Sequence, residues 1–365
     1  MNGPDLLLPA PVQAAPLPEV RNHTPYPSQY YQMMDVDDEV FHVIATRITY
    51  NLSRLDESGT PVLAQAQIPL VETDQFYGEP ASSSCIQESD FAPYKPKCDI
   101  LLAHATAYAP EGKPHTRWPV GIRIGDWQKI LTVTGPRYVE RSLLGWRVTE
   151  PEKATEVPLR WENAYGGTCQ WPLQLSGNQE PEIWSPHEAN PLGTGWVDKD
   201  WLKKHHVADV DGPQIEEFKN PFGNRQASAM QYPAVGVGPV GKWWRPRRQK
   251  AGVYDQAWKE TRWPKLPLDF DFGYWNCAPE DQQIDYPLGG EELVLAGLTA
   301  GQQTWRAKLP QEHPFIRVRL HAGPILPRAM YQDTLVLNLK EMTLSSIWRM
   351  TIAAKADVRV LEICL

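Results

Sequence analysis

At 365 residues, 42% hydrophobic and 22% charged, the chain has the make-up of a folded globular protein with room for a sizeable core. A net charge of −8 argues against nucleic acid as the principal partner, because phosphate binding needs a basic face. The five cysteines (Cys85, Cys98, Cys169, Cys277, Cys364) lack the spacing of metal or disulfide frameworks and read as reduced thiols, so a cytoplasmic protein without metal or cofactor is expected.

Residues 1–35 hold seven prolines and no hydrophobic period, and read as an extended tail. Within it Leu6-Leu7-Leu8 is too short for the apolar core of an export signal, and no run of about 18 apolar residues follows that could span a bilayer. Strand signals then begin. Val40 to Leu52 alternates with a period of two, Asp56-Glu-Ser-Gly59 forms a turn, and Val62 to Ile68 completes a hairpin. Val120–Ile124 and Lys129–Thr134 form a second hairpin around Gly125-Asp126, where a leading glycine suits a type II′ turn. Residues 36–150 are therefore an N-terminal β region.

Residues 151–287 differ in kind. Ten of the 15 tryptophans fall between Trp161 and Trp275, among frequent Pro, Gly, Asp and Asn. Proline removes an amide donor and glycine adds chain entropy, so this composition makes a turn-rich surface and no long helix. Short helices are predicted at Pro213–Lys219 and at Ile325–Met330, the second interrupted by Pro327. Residues 288–365 return to β patterning. Ile316–Leu320, Leu335–Leu339 and Trp348–Ile352 each alternate as half-buried antiparallel strands. The fold expected is all-β, mainly antiparallel sheets in a sandwich or barrel, with a long loop region and few short helices.

Motifs of catalysis are scarce. Gly236-Val-Gly-Pro-Val-Gly241 matches a dinucleotide fingerprint in letters, but Pro239 and Trp243-Trp244 make a poor helix start, and a Gly/Pro turn fits better. Glu162, Asp269, Asp271, Glu280 and Asp281 are the best-placed acids. Two of them among tryptophans would suit a glycoside hydrolase, whereas turn acids usually accept backbone amides. His205-His206 with Asp209 and Asp211 has metal-compatible types without zinc spacing. Lys242-Trp-Trp-Arg-Pro-Arg-Arg-Gln-Lys250 packs five basic residues and two tryptophans into nine positions. It reads as a solvated loop, as a docking patch for an acidic protein, or as a stacking site for single-stranded nucleic acid.

Several segments occur in an order that carries a resemblance: Gly78–Pro80, Ser89–Asp99, Ala107–Pro110, Arg160–Thr168, Asn190–Trp196 and Trp244–Arg247, then Gly252–Trp258, Pro264–Pro279, Gly289–Glu291 and Leu309-Pro310. Over nearly its whole length the chain resembles a bacterial family of unknown function found among the accessory proteins of type VI secretion systems. The resemblance implies a cytosolic adaptor or chaperone that holds a toxic effector, often PAAR-linked, and helps load it onto the VgrG spike. It brings no catalytic residues and no membrane or nucleic-acid partner.

On that reading the client-binding or motif residues are Trp161, Glu162, Asn163, Tyr165, Gly166, Gly167 and Trp196, with Trp243, Trp244, Arg245 and Arg247 in the basic stretch. Tyr254, Asp255, Trp258, Asp269, Asp271, Asn276, Pro279 and Asp281 complete the set. The alternative is a carbohydrate- or cell-wall-acting hydrolase using Glu162 and an Asp near position 270. A third reading makes the protein an exported part of the spike complex.

Overall fold

A computed structural model describes residues 17–172 and 182–365. The protein is mainly β, in open and mostly antiparallel sheets. The largest has seven strands: Ser28–Met34, Val40–Leu55, Thr343–Ala353, Tyr331–Asn338, Cys98–Ala103 and Gln283–Ile284 in spatial order, with Pro61–Leu63 beside the long second strand. Its only parallel pair joins Thr334–Asn338 to Asp99–Ala103. Segments from both ends of the chain thus share one sheet. A five-stranded sheet contains the Arg117–Ile124/Trp127–Thr134 hairpin, whose turn glycine, Gly125, has φ +54°. A four-stranded sheet joins Glu19–Asn22, Val358–Cys364, Phe315–Leu320 and Ile325–Ala329.

One hydrophobic core lies between these three sheets. Ile44, Ile48, Ile100 and Leu335 enter it from the first sheet, Val120, Leu131 and Leu293 from the second, and Ile316 and Leu361 from the third. Trp118, Trp161 and Trp244 belong to the same cluster.

Several expectations need correction. Glu19–Asn22 and Ser28–Met34 form strands, pairing with Val360–Ile363 and with Val40–Thr46, so the second half of the proline-rich stretch is no tail. The first 16 residues lie outside the described residues. Neither predicted helix forms. Ile215–Glu217 pairs with Leu131–Val133, and Ile325–Ala329 pairs with Phe315–Arg319. An edge strand tolerates the missing amide of Pro327, which a helix interior does not. The first hairpin is shorter than its pattern. Only Pro61–Leu63 pairs, and the Gln67 side chain takes over the ladder by accepting from Thr49 N (2.8 Å) and donating to Thr49 O (2.9 Å).

The strands at Leu335 and Trp348 are buried on both faces. A small cluster of Ala45, Leu101, Val336 and Ile347 covers the second face together with Leu70, Cys277 and Ala278. The charged residues there pair with one another, Arg47 with Asp90, Lys95 with Asp99 and Arg349 with Asp333. Four short α-helices occur among the described residues, the longest being Lys199–His205. All five cysteines are free and buried, and no helix among the described residues is long and apolar enough to cross a membrane.

Candidate functional site

The tryptophan-dense midsection resolves into two kinds of structure. The Arg160–Thr168 and Asn190–Trp196 segments form a joint. Trp161 is buried, donates its indole N–H to Pro239 O (2.9 Å) and meets Trp244 edge-on at 5.3 Å. Two of the three glycines in the 236–241 run, Gly236 and Gly241, face these two rings. A Cβ at Gly236 would lie 2.9 Å from Trp161, and one at Gly241 would lie 2.6 Å from Trp244 Nε1. The run is therefore shaped by indole packing, with no phosphate-binding helix behind it.

Glu162 accepts from Ser84 N (2.8 Å) and Ser84 Oγ (2.6 Å), pinning a loop 78 residues away in sequence. Asn163 donates to Pro158 O at 2.8 Å. Buried Asn190 donates to Trp161 O (2.9 Å) and Tyr165 O (3.1 Å), and its own carbonyl receives Gly167 N. Gly166 has φ +152° and a Cβ there would fall 2.0 Å from Asn190 O, so only glycine fits. Gly167 has φ +137°. Tyr165 is fully buried against Phe222, Tyr232 and His187, and half-buried Trp196 packs on His187. His187 accepts Asn190 N through Nδ1 at 3.2 Å, and burial lowers its pKa.

The basic stretch is internally neutralised over most of its length. Lys242 pairs with Asp74 (2.6 Å), Arg245 and Arg248 with Glu188, and buried Arg247 with Glu88. Arg247 also donates to Tyr274 O and Val240 O and lies over the Tyr274 ring. Trp244 is buried while Trp243 is 53% exposed. The acids near 270 hold loops. Asp269 accepts Val253 N, Asp271 accepts Gly273 N, and Asp281 pairs with buried Lys129 at 2.8 Å. Asn276 and Pro279 are buried, Asn276 donating to Lys97 O and Asp99. His205 ends a helix and His206 is its left-handed cap; among the described residues no three His, Cys, Asp or Glu side chains gather as a metal site.

The second kind of structure is exposed. Asp255 caps the Gln256–Thr261 helix by accepting Trp258 N at 2.8 Å. On it Tyr254 packs edge-on against Trp258 (4.7 Å), and Trp258 against Trp263 (5.6 Å). Arg262 fixes this unit by pairing with Asp38 (3.0 Å) and donating to Leu266 O. Tyr254 is 52% exposed, Trp263 69% and Leu268 71%, with Val253 beside them in the chain. Further along the chain a second set of rings packs together: buried Phe270 meets Tyr274 and Phe272, each at 5.5 Å, and Phe272 meets Tyr94 at 6.3 Å.

Two further features carry no mark in the motifs. The hairpin Tyr138–Ser142/Gly145–Val148 turns through Leu143 and Leu144, both fully exposed, where turn-forming residues are the rule. Under the second face of the large sheet lies a buried ionic network. Lys95 donates to Asp99 and Thr334, both at 2.8 Å; Arg349 pairs with Asp333 at 2.7 Å and donates to Tyr31 Oη, Asp90 O and Ala92 O. Arg47 reaches Asp90 (3.2 Å) and Ser345 (2.9 Å). Burial is the largest single influence on Lys95 and opposes its charge, but Asp99 together with Cys277 and Asp333 outweighs it and holds the lysine above its usual pKa; burial pushes the Tyr31 phenol up to about 12. A cavity of about 280 Å³ opens onto this network, with Lys95, Asp333 and Arg349 among its lining and Tyr94, Tyr286 and Tyr331 around it. The signal in the sequence was single charges inside apolar strands, such as Arg47, Asp99 and Arg349.

The sequence model of a family described as "Uncharacterized protein conserved in bacteria (DUF2169)" matches residues 37–349, and the chain belongs to that family. No curated protein and no solved structure matches the chain.

Proposed function

We propose, taking membership of that bacterial family as the premise, that the protein is a non-catalytic adaptor that grips a protein partner through its exposed aromatic facet. The observation that supports this reading most is the facet itself. Tyr254, Trp258 and Trp263 form a fixed aromatic surface with exposed Leu268 near them in the chain, and aromatic side chains of this kind dominate the hot spots of protein interfaces. Leu143 and Leu144 add a second exposed apolar point. The resemblance drawn from the motifs names the partner: a toxic effector, PAAR-linked, held in the cytoplasm and loaded onto the VgrG spike of a type VI secretion system.

A hydrolase would place Glu162 and an acid near 270 around a substrate. Glu162 instead spends both oxygens on Ser84, and Asp269 and Asp271 accept backbone amides. Co-purification with an effector encoded beside this protein tests the adaptor. Capture should be lost in Tyr254→Ala/Trp263→Ala and weakened in Leu143→Ser/Leu144→Ser, with the fold intact. Undiminished capture by all these variants, or an effector whose abundance and spike association ignore the protein, refutes the reading.

A further inference from the structure

A second set of rings, Phe270, Phe272 and Tyr94, leads to the cavity at the buried ionic network. Tyr94, which meets Phe272, also lines the cavity with Tyr286 and Tyr331, and the last two rings touch at 5.1 Å. At about 280 Å³ the space falls below the usual size of a cofactor site and suits one side chain.

Its charge is unbalanced. Lys95, Arg328 and Arg349 line it with a single carboxylate, Asp333, and Asp99 stands behind Lys95. Arg328 is exposed and has no ion pair among the described residues, which leaves an excess of one cation. Donors are also in excess. Lysine carries three N–H groups, and Lys95 uses two, on Asp99 and Thr334. Arg349 commits Nε and one Nη2 hydrogen to Asp333, leaving the other Nη2 hydrogen. A buried donor left without a partner is costly, and a carboxylate is the acceptor that best satisfies cationic donors.

We propose that this cavity seats an acidic side chain, Asp or Glu, of a partner segment whose neighbouring apolar residues lie on the flanking rings. The assignment rests on the adaptor reading and adds the chemistry of what is gripped: an apolar segment with a carboxylate at its centre. The flanking rings of Tyr94, Tyr286 and Tyr331 give affinity along the segment, and the cavity sets its register.

Three capped or open tripeptides test it by calorimetric titration: acetyl-Phe-Glu-Phe-amide, acetyl-Phe-Gln-Phe-amide, and acetyl-Phe-Gln-Phe with a free carboxylate end. The Glu peptide should bind at least about tenfold more tightly than the capped Gln peptide. That preference should vanish in Lys95→Met and in Arg328→Glu, the second being an exposed change that leaves the fold intact if the first does not. Equal binding of the two capped peptides, or no binding by any, overturns the proposal. Tightest binding by the open Gln peptide overturns it in favour of a chain end. Effector capture that survives Arg328→Glu but fails in Trp263→Ala removes the cavity from the interface and leaves the adaptor standing. Glu-selective peptide binding by a protein that captures no effector does the reverse.

Discussion

Trp161 and Trp263 come from the same tryptophan-dense stretch and have opposite fates. Around Trp161 the chain supplies glycines: Gly236 faces its ring, Gly241 faces the partner ring of Trp244, and Gly166 lets Asn190 close the joint. Around Trp263 it supplies a six-residue helix, Lys, Arg and Pro, with charges that tie the unit down from its sides. An indole is buried where neighbours give up their side chains to admit it. It is displayed where the backbone is short and anchored and nothing covers the ring. Density of tryptophan alone does not distinguish gripping from packing.

Truncation gives the largest contrast. Trp161→Ala should destabilise the protein by about 3–5 kcal/mol, the range for a buried indole, while Trp263→Ala should stay within about 0.5 kcal/mol. Guanidinium unfolding followed by far-UV circular dichroism measures both. Similar losses for the two would erase the division between joint and facet.

Adding one carbon probes the same division from the other side. Gly236→Ala places a Cβ 2.9 Å from Trp161 in the core, and overpacking of this kind costs about 1–3 kcal/mol. Ala257→Val, on the exposed face of the Gln256–Thr261 helix, should cost less than about 1 kcal/mol, a matter of helix propensity. The same unfolding experiment decides whether the glycines are there for the rings.

Much of this was legible beforehand, for definable reasons. The strands at Val40–Leu52 and Val120–Thr134 showed because a period of two survives in the letters. The helices predicted at Pro213–Lys219 and Ile325–Met330 failed because tertiary pairing decides short segments of mixed propensity. The joint residues were singled out by composition, but the burial of Trp161 depends on Gly236, far along the chain. Leu143 and Leu144 were passed over because two leucines rarely form a turn. The ionic network was hidden because its members, Arg47, Asp99, Asp333 and Arg349, lie on separate strands and meet only through sheet order.

Glu162 sharpens the comparison at a polar residue. Glu162→Ala leaves buried Ser84 without acceptors and should cost about 1–3 kcal/mol, whereas Glu162→Gln keeps the geometry and should cost under about 1 kcal/mol. Effector capture should be unchanged in the Gln variant. If Glu162 acted as a catalytic acid, Glu162→Gln would abolish turnover on a saccharide substrate while the fold stood.

The smallest effect separates the regions by pH. Burial holds the His187 pKa below its unfolded value, and Nδ1 must stay unprotonated to accept Asn190 N. A base depressed in the folded state binds its proton first when unfolded. Its stabilising contribution is therefore full above the unfolded value near 6.5 and is lost as pH falls through the lower folded value. His42 and His104 are depressed by burial as well and act in the same direction. His187→Phe keeps a ring against Tyr165 and Trp196 but removes the acceptor, so it should start about 1 kcal/mol less stable at pH 7.5 and then lose less than the native protein on the way to pH 5. Thermal midpoints across that range measure the two slopes, and parallel slopes would remove His187 from the account. No histidine lies between residues 251 and 272, so the facet's grip on an apolar partner should hold constant over the interval in which the joint weakens.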